Sequence, residues 1–471
     1  MTTRVDAPDV TAHGLVNPDG GREFRGIRYA RAQRFAPPVD DAATGHTVDA
    51  DRWGSLCPQN PGFLELMAGY DAESASEDCL YLNVFTPAGA NAASRLPVLL
   101  WIHGGAYLTG GGSLSWYHGS PLARRGAVVV TINYRLGALG YLGPDNLGTL
   151  DQISALRWTN RNIEAFGGDP GNVTVFGESA GGSALVALMA SPDAAGLFHR
   201  AWAMSPSIGQ LRDAARAEDA ATQYLDIVGA ASLDDLRHLP LETLLQAQAT
   251  LAARRSRGFD HFSPAGGGTA LPHAMLEAAA LCPVPLVIGT TRDENKLFTA
   301  FDDTARSATV DDWHAETERV FGENAAAARR LYGDLRGGEP WELISALNTD
   351  VAFRQPAIAL ASVRAEVNTP TWMYWFTHRS TAFGGRFGSC HALDLPFMFG
   401  TLAAEGAEAF TGTSDEHEGV SERMSGELMA LATHAHPRWA QYDTESRSTL
   451  DIGPTCSLLG DPEAEIRQLF V

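Results

Sequence analysis

Residues 173–190 read VTVFGESAGGSALVALMA, a short branched apolar run, a glycine-flanked serine and then a stretch of helix-forming residues. Gly177-Glu178-Ser179-Ala180-Gly181 is a G-x-S-x-G sequence set between a strand and a helix, the context in which a serine sits on a tight turn with its hydroxyl projecting from a sheet. Small residues on both sides are required so that strand and helix can pass closely. A helix beginning at this point directs its free N–H groups and positive dipole end toward the serine oxygen. A phosphate-binding loop would need a lysine directly after the glycines, and the only lysine of the chain is Lys296.

Upstream, VLLWI at 98–102 runs into His103-Gly104-Gly105-Ala106-Tyr107, with Gly110, Gly111 and Gly112 close behind. This resembles the HGGG-type loop of esterases and lipases. Acyl transfer drives negative charge onto a carbonyl oxygen, and a preorganised N–H donor there is worth about 3 kcal/mol of barrier. The N–H groups of Gly105, Ala106 and Ala180 are the expected donors. Larger side chains would block the approach.

Further apolar runs at 127–132 (AVVVTI), 285–289 (PLVIG) and 371–376 (TWMYWF) read as strands buried on both faces. Helix-like segments lie between them, notably 148–165. Strand, turn and helix in alternation predict an α/β fold with a predominantly parallel central sheet flanked by helices. The regions 211–280 and 300–360 are rich in Ala, Leu, Arg and Glu at helical spacing. They are expected as helical insertions over the carboxyl edge of the sheet, where ligands of open α/β sheets bind. No repeat or linker divides residues 1–471, so one catalytic unit is expected.

Composition narrows the function classes. The 471 residues carry 35 basic and 56 acidic side chains, a net charge of −21, which repels phosphate backbones and anionic lipid. Nucleic-acid and membrane partners are not expected. Neither a span of ~20 apolar residues nor an apolar leader segment is visible, so a cytoplasmic protein is expected, with monomer as the default. Five cysteines lack C-x-x-C spacing, and one must be unpaired. His434 and His436 form an isolated H-x-H without further ligands. No metal or cofactor is expected, and a single lysine argues against an S-x-x-K nucleophile or a Schiff base.

Two longer segments carry a family resemblance. FGGDPGNVTVFGESAG at 166–181 and EDCLYLNVFTP at 77–87 resemble the two signatures of the type-B carboxylesterases, the group of cholinesterases and bacterial para-nitrobenzyl esterases. FRGIRYA at 24–30, RFAPP at 34–38, INYRLGALGYL at 132–142 and NLGTLDQISALRW at 146–158 extend it over roughly the first 205 residues. The resemblance implies an α/β-hydrolase fold and the remaining catalytic residues. In the family the acid is a glutamate in a D-E-G turn, which falls on Glu294 in PLVIGTTRDENKLF, with Asn295 replacing the glycine. Asparagine tolerates positive φ better than most residues. Asp293 is the neighbouring alternative, with a turn or cap as its other role. GSCHALDLPFMFG at 388–400 resembles the family's histidine loop and implies His391 as the base, with His378 as the rival.

The resulting order Ser179, Glu294, His391 is that of α/β-hydrolases and implies hydrolysis of small to medium carboxylic esters through an acyl-enzyme. Cleavage of carbamates or amides, or acyl transfer, would use the same groups. A non-catalytic binding protein of the same fold is the third reading. Tyr107, Trp116, Tyr117, Glu178, Ser205, Phe298 and Phe397 are candidate substrate-site residues. Cys57 and Cys79 match a disulfide of secreted relatives, which stays open in a reducing compartment. The intervening loop has no tryptophan of the kind with which cholinesterases hold quaternary ammonium, so choline esters are disfavoured.

Overall fold

The branched runs form the strands expected of them, and their side chains alternate between two cores. Val98, Leu100 and Ile102 face one hydrophobic cluster while Leu99 and Trp101 face another. The same division holds for Val128 and Val130 against Val129, for Leu286 and Ile288 against Val287, and for Met373 against Trp372 and Tyr374. A strand apolar on both faces is stable only when both are covered, so these strands lie centrally in the sheet. The computed structural model describes residues 2–41, 45–254 and 261–470.

Thirteen strands form the main sheet. They are β1 (Thr2–Asp6), β2 (Val10–Val16), β3 (Arg22–Arg28), β4 (His46–Asp49), β5 (Tyr81–Thr86), β6 (Leu96–Ile102), β7 (Val128–Ile132), β8 (Gly168–Glu178), β9 (Arg200–Met204), β10 (Leu286–Thr291), β11 (Thr371–Phe376), β12 (Ser448–Ile452) and β13 (Ser457–Gly460). The spatial order is β1-β2-β3-β5-β7-β6-β8-β9-β10-β11-β12-β13, with β4 paired to β2. From β7 to β12 every neighbouring pair is parallel. Among the amino-terminal strands β1, β2, β3 and β5 pair antiparallel, as does β13, whereas β4 lies parallel to β2. The carboxyl ends of β6, β8, β9, β10 and β11 therefore lie on one edge. That edge receives the loops beginning at His103, Ser179, Ser205, Arg292 and Thr377.

One face of the sheet is covered by α1 (Leu147–Asn162), α2 (Ala180–Ala190) and, farther along the chain, α8 (Gln355–Glu366). These helices supply Ile153, Leu156, Leu185 and Leu360 to the first core. The first helical insertion contains α3 (Ala214–Val228) and α4 (Leu241–Arg254), and its residues 255–260 lie outside the described residues. The second contains α5 (Val310–Phe321), α6 (Ala325–Leu335) and α7 (Pro340–Thr349), the last joined to α8 by a π-helical turn at Asp350–Arg354. The other face of the sheet is covered by α9 (His417–His434), through Val420, Met424, Leu428 and Leu431. No described helix is long and apolar enough to cross a membrane.

Candidate active site

Ser179 joins β8 directly to α2 with φ 57° and ψ −119°. A serine backbone held at positive φ is strained, and the surrounding packing must enforce it. Its N–H donates to the Met204 carbonyl at 2.9 Å, and its carbonyl accepts from the Ser183 hydroxyl at 3.0 Å. Gly181 is forced by close approach, because a Cβ there would lie 2.1 Å from the Ile102 carbonyl oxygen. The local sequence thus fixes the turn through contacts that only glycine permits.

The loop after β6 wraps against this turn. A Cβ on Gly104 would lie 3.1 Å from the Ser179 Cβ, so this loop packs directly against the serine. Gly105, Ala106 and Tyr107 take φ values of 99°, 54° and 60°, three successive left-handed residues. Gln59 holds the loop from outside: its Nε2 donates to the Gly110 carbonyl at 2.8 Å and its Oε1 accepts from the Gly110 N–H at 2.7 Å. His103 donates from Nδ1 to the Gly104 carbonyl at 2.8 Å and stacks on Tyr134. Burial pushes its pKa down to about 4, so it is neutral in the physiological range. The N–H groups of Gly105 and Ala106 donate no hydrogen bond among the described residues. Ala180 occupies the first position of α2, where an N–H has no partner within its own helix.

Glu294 and His391 arrive from the ends of β10 and β11. The Glu294 Oε2 lies 2.5 Å from His391 Nδ1, while its Oε1 accepts from the Thr291 N–H at 2.7 Å. Both side chains are buried. Asn295 takes φ −69°, so the turn never enters the left-handed region in which glycine is favoured. Its N–H donates to the Thr349 hydroxyl at 3.0 Å. Asp293 does not join the histidine: its Oδ2 accepts from the Ser389 N–H at 2.9 Å and ties the two loops together. His378 is buried elsewhere, its ring packed against Phe397 and His417.

On its other side, His391 Nε2 lies 3.1 Å from the Glu178 Oε1. This is a close charge contact without the alignment of a hydrogen bond, since that oxygen has no hydrogen-bond partner among the described residues. No hydrogen bond joins the Ser179 hydroxyl to His391 among the described residues. Burial opposes charge on the imidazole, but the Glu178 and Glu294 carboxylates outweigh it and hold its pKa up at about 9. Glu178 is itself raised to about 7 by burial, with His391 pulling it down and Glu294 and Glu65 adding repulsion. Asp394 is likewise raised by burial and by Glu178 and Glu294, and accepts only a 3.3 Å hydrogen bond from the Tyr374 hydroxyl. The imidazole ring is flanked by Phe353 at 4.8 Å and Phe298 at 5.5 Å. Phe353 stands on the π-helical turn between α7 and α8, a feature common at functional sites. Nothing in the sequence spacing flags it or Gln59.

The other candidate residues separate into three groups. Glu178 and Phe298 meet His391. Tyr107 is buried behind the serine, donating to the Ser183 hydroxyl at 3.2 Å, and Ser205 is buried with its hydroxyl unpartnered among the described residues. Trp116 and Phe397 are packed in the interior: Trp116 stacks on Phe410 and donates to the Glu405 carbonyl, and Phe397 lies between Phe376 and the His378–His417 pair. Tyr117 packs on Trp101. Cys57 and Cys79 are buried free thiols. No group of three or more metal-ligating side chains occurs among the described residues.

A strained serine at the carboxyl edge of a parallel sheet, facing a glycine loop and a buried glutamate–histidine pair, defines a serine hydrolase of the α/β-hydrolase fold. The model of the carboxylesterase family matches residues 13–463. The chain is 38% identical to the para-nitrobenzyl esterase of Bacillus subtilis (strain 168), over 96% of this chain and 95% of that one. It is 35% identical to the phenmedipham hydrolase of Pseudarthrobacter oxydans, over 95% and 93%. The solved structure of a thermophilic para-nitrobenzyl esterase covers both chains completely, with a TM-score of 0.87 and 34% identity. The chain belongs to the carboxylesterase family and is a hydrolase of carboxylic esters.

Proposed function

We propose that Ser179 is the nucleophile, His391 the general base and acid, and Glu294 the group that orients the imidazole. The N–H groups of Gly105, Ala106 and Ala180 complete the site as oxyanion donors. The observation that carries this assignment is the 2.5 Å Glu294–His391 contact beside a serine held at φ 57°. As His391 Nε2 takes the hydroxyl proton, Ser179 Oγ bonds to the ester carbonyl carbon and the carbonyl electron pair moves to oxygen. The three N–H groups stabilise that oxyanion. Collapse breaks the carbon–alkoxy bond, and the departing alkoxide takes the proton from Nε2. Water then attacks the acyl-enzyme with its proton passing to Nε2, and the acid is released as Ser179 Oγ recovers a proton.

Nε2 faces Glu178 at 3.1 Å, so in this reading the imidazole turns from Glu178 to Ser179 as substrate binds. The helical insertions serve as walls of the site in this reading, supported by Phe353 reaching His391 from the second of them. The test is hydrolysis of 4-nitrophenyl acetate by wild type and Ser179→Ala. The expected loss in kcat is about 10⁵–10⁶-fold, and a variant of near wild-type turnover overturns the assignment.

A further inference from the structure

The wall beyond His391 continues outward as an aromatic surface. Phe298, beside the imidazole, is 41% exposed, and Phe301, one helical turn on, is 48% exposed. Phe301 packs edge-on against Phe383 at 5.1 Å and Phe387 at 5.2 Å. Phe387 is buried and forms the floor, whereas Phe383 is 54% exposed. The segment is tied down where it meets the histidine loop. The Ser380 N–H donates to the Gly388 carbonyl at 2.8 Å and the Ser380 hydroxyl to the Phe410 carbonyl at 2.7 Å. Gly388 precedes His391 by three residues, so the segment that carries Phe383 and Arg386 leads directly into the loop of the candidate base.

Phe383 has φ 51°, followed by Gly384 at 68° and Gly385 at 79°. A left-handed backbone is unfavourable for a bulky side chain, and core packing does not repay it when the ring is more than half exposed. The Arg386 guanidinium lies 5.1 Å from the centroid of the Phe301 ring. It makes no ion pair within the described residues although acidic side chains exceed basic ones by 21. A guanidinium on an aromatic face keeps its in-plane N–H donors free for a carboxylate.

We propose that Phe301, Phe383 and Arg386 form an outer subsite for a carboxylated aromatic ring at the far end of the ester, with the ring on the two phenylalanines and its carboxylate on Arg386. The inference rests on the assignment of Ser179 and His391 as the reacting centre and names the substrate class that centre takes.

The test uses 4-nitrophenyl acetate and two ester series in which a medium-length chain ends in a phenyl ring or a carboxyphenyl ring, the arm being placed on the acyl side or on the alcohol side. The readout is kcat/KM relative to acetate for wild type, Phe383→Gly and Arg386→Gln. In one of the two placements Arg386→Gln is expected to lose about tenfold of the preference for carboxyphenyl over phenyl. Phe383→Gly should lower the relative rate of both arms by about three- to tenfold while raising Tm, since glycine relieves the left-handed strain. Ratios within twofold of wild type in both placements, or a Phe383→Gly variant with lower Tm and all esters slowed equally, overturn the subsite and leave the serine mechanism intact. A folded wild type inert on acetate and on both series overturns the mechanism and the subsite together.

Discussion

The two halves of the site are held in place by different means. Around Ser179 and Gly105–Tyr107 the geometry is written in the main chain: four non-glycine or glycine residues at positive φ, and glycines so tightly apposed that no Cβ fits. Around Glu294 and His391 it is written in side chains: two buried carboxylates on one imidazole, with phenylalanine rings on either side. The titratable side chains of the first half, His103 and Tyr107, are kept neutral by burial, and its failure mode is steric. The second tolerates changes of atom but answers to charge, so pH acts on the enzyme through this half.

Removing the orienting charge while keeping the shape tests this contrast most severely. Glu294→Gln should lower kcat by about 10⁴-fold with the fold retained, as read by ester kinetics beside the circular dichroism spectrum. A loss below about tenfold would mean that His391 is oriented by something else. On the serine side, Gly181→Ala places a Cβ against the Ile102 and His103 carbonyl oxygens. It should cost about 3 kcal/mol in urea unfolding, and an unchanged midpoint would show that the turn has slack.

Charge sensitivity is the next distinction. A base must be neutral to accept a proton, and the imidazole is held up at about 9, so kcat/KM of wild type should rise with pH through that region. Glu178→Gln removes one of the carboxylates that favour the protonated ring and should move this rising limb down by about 1–3 pH units. A limb that stays in place would show that the 3.1 Å contact carries no net charge coupling. The smallest expected effect is that of Phe353→Leu, which keeps bulk but loses the ring: kcat should fall about tenfold with KM within about twofold. A raised KM at constant kcat would instead make Phe353 part of the substrate wall.

Legibility in the sequence follows the same division. Main-chain geometry leaves its mark on residue type, because a turn without room for Cβ demands glycine, and both Ser179 and the loop after His103 could be read from that. Glu294 and His391 are single residues of common types, brought together over 97 positions, and only the resemblance of their flanking segments located them. Phe353 and Gln59 had no signal, since their partners are distant in the chain. Trp116 and Phe397 show the converse. An aromatic near a motif says nothing about which way its ring faces, and both face the interior. The amino-terminal strands lack the continuous apolar runs of the centre. Thr2–Asp6, largely exposed apart from Val5, has no pattern to distinguish it from a loop.

Lys296 gives the molecule a property of a different kind. It is the only side-chain amine in 471 residues, and it opens the helical turn two positions after Glu294, with Nζ 3.2 Å from Glu342 and only a small part of its side chain reaching solvent. An amine-directed reagent that acylates side chains therefore has one destination in the chain, beside Glu294, the proposed orienting acid. Its rate of attachment would report, by a single mass increment, how often the ion pair over that turn opens.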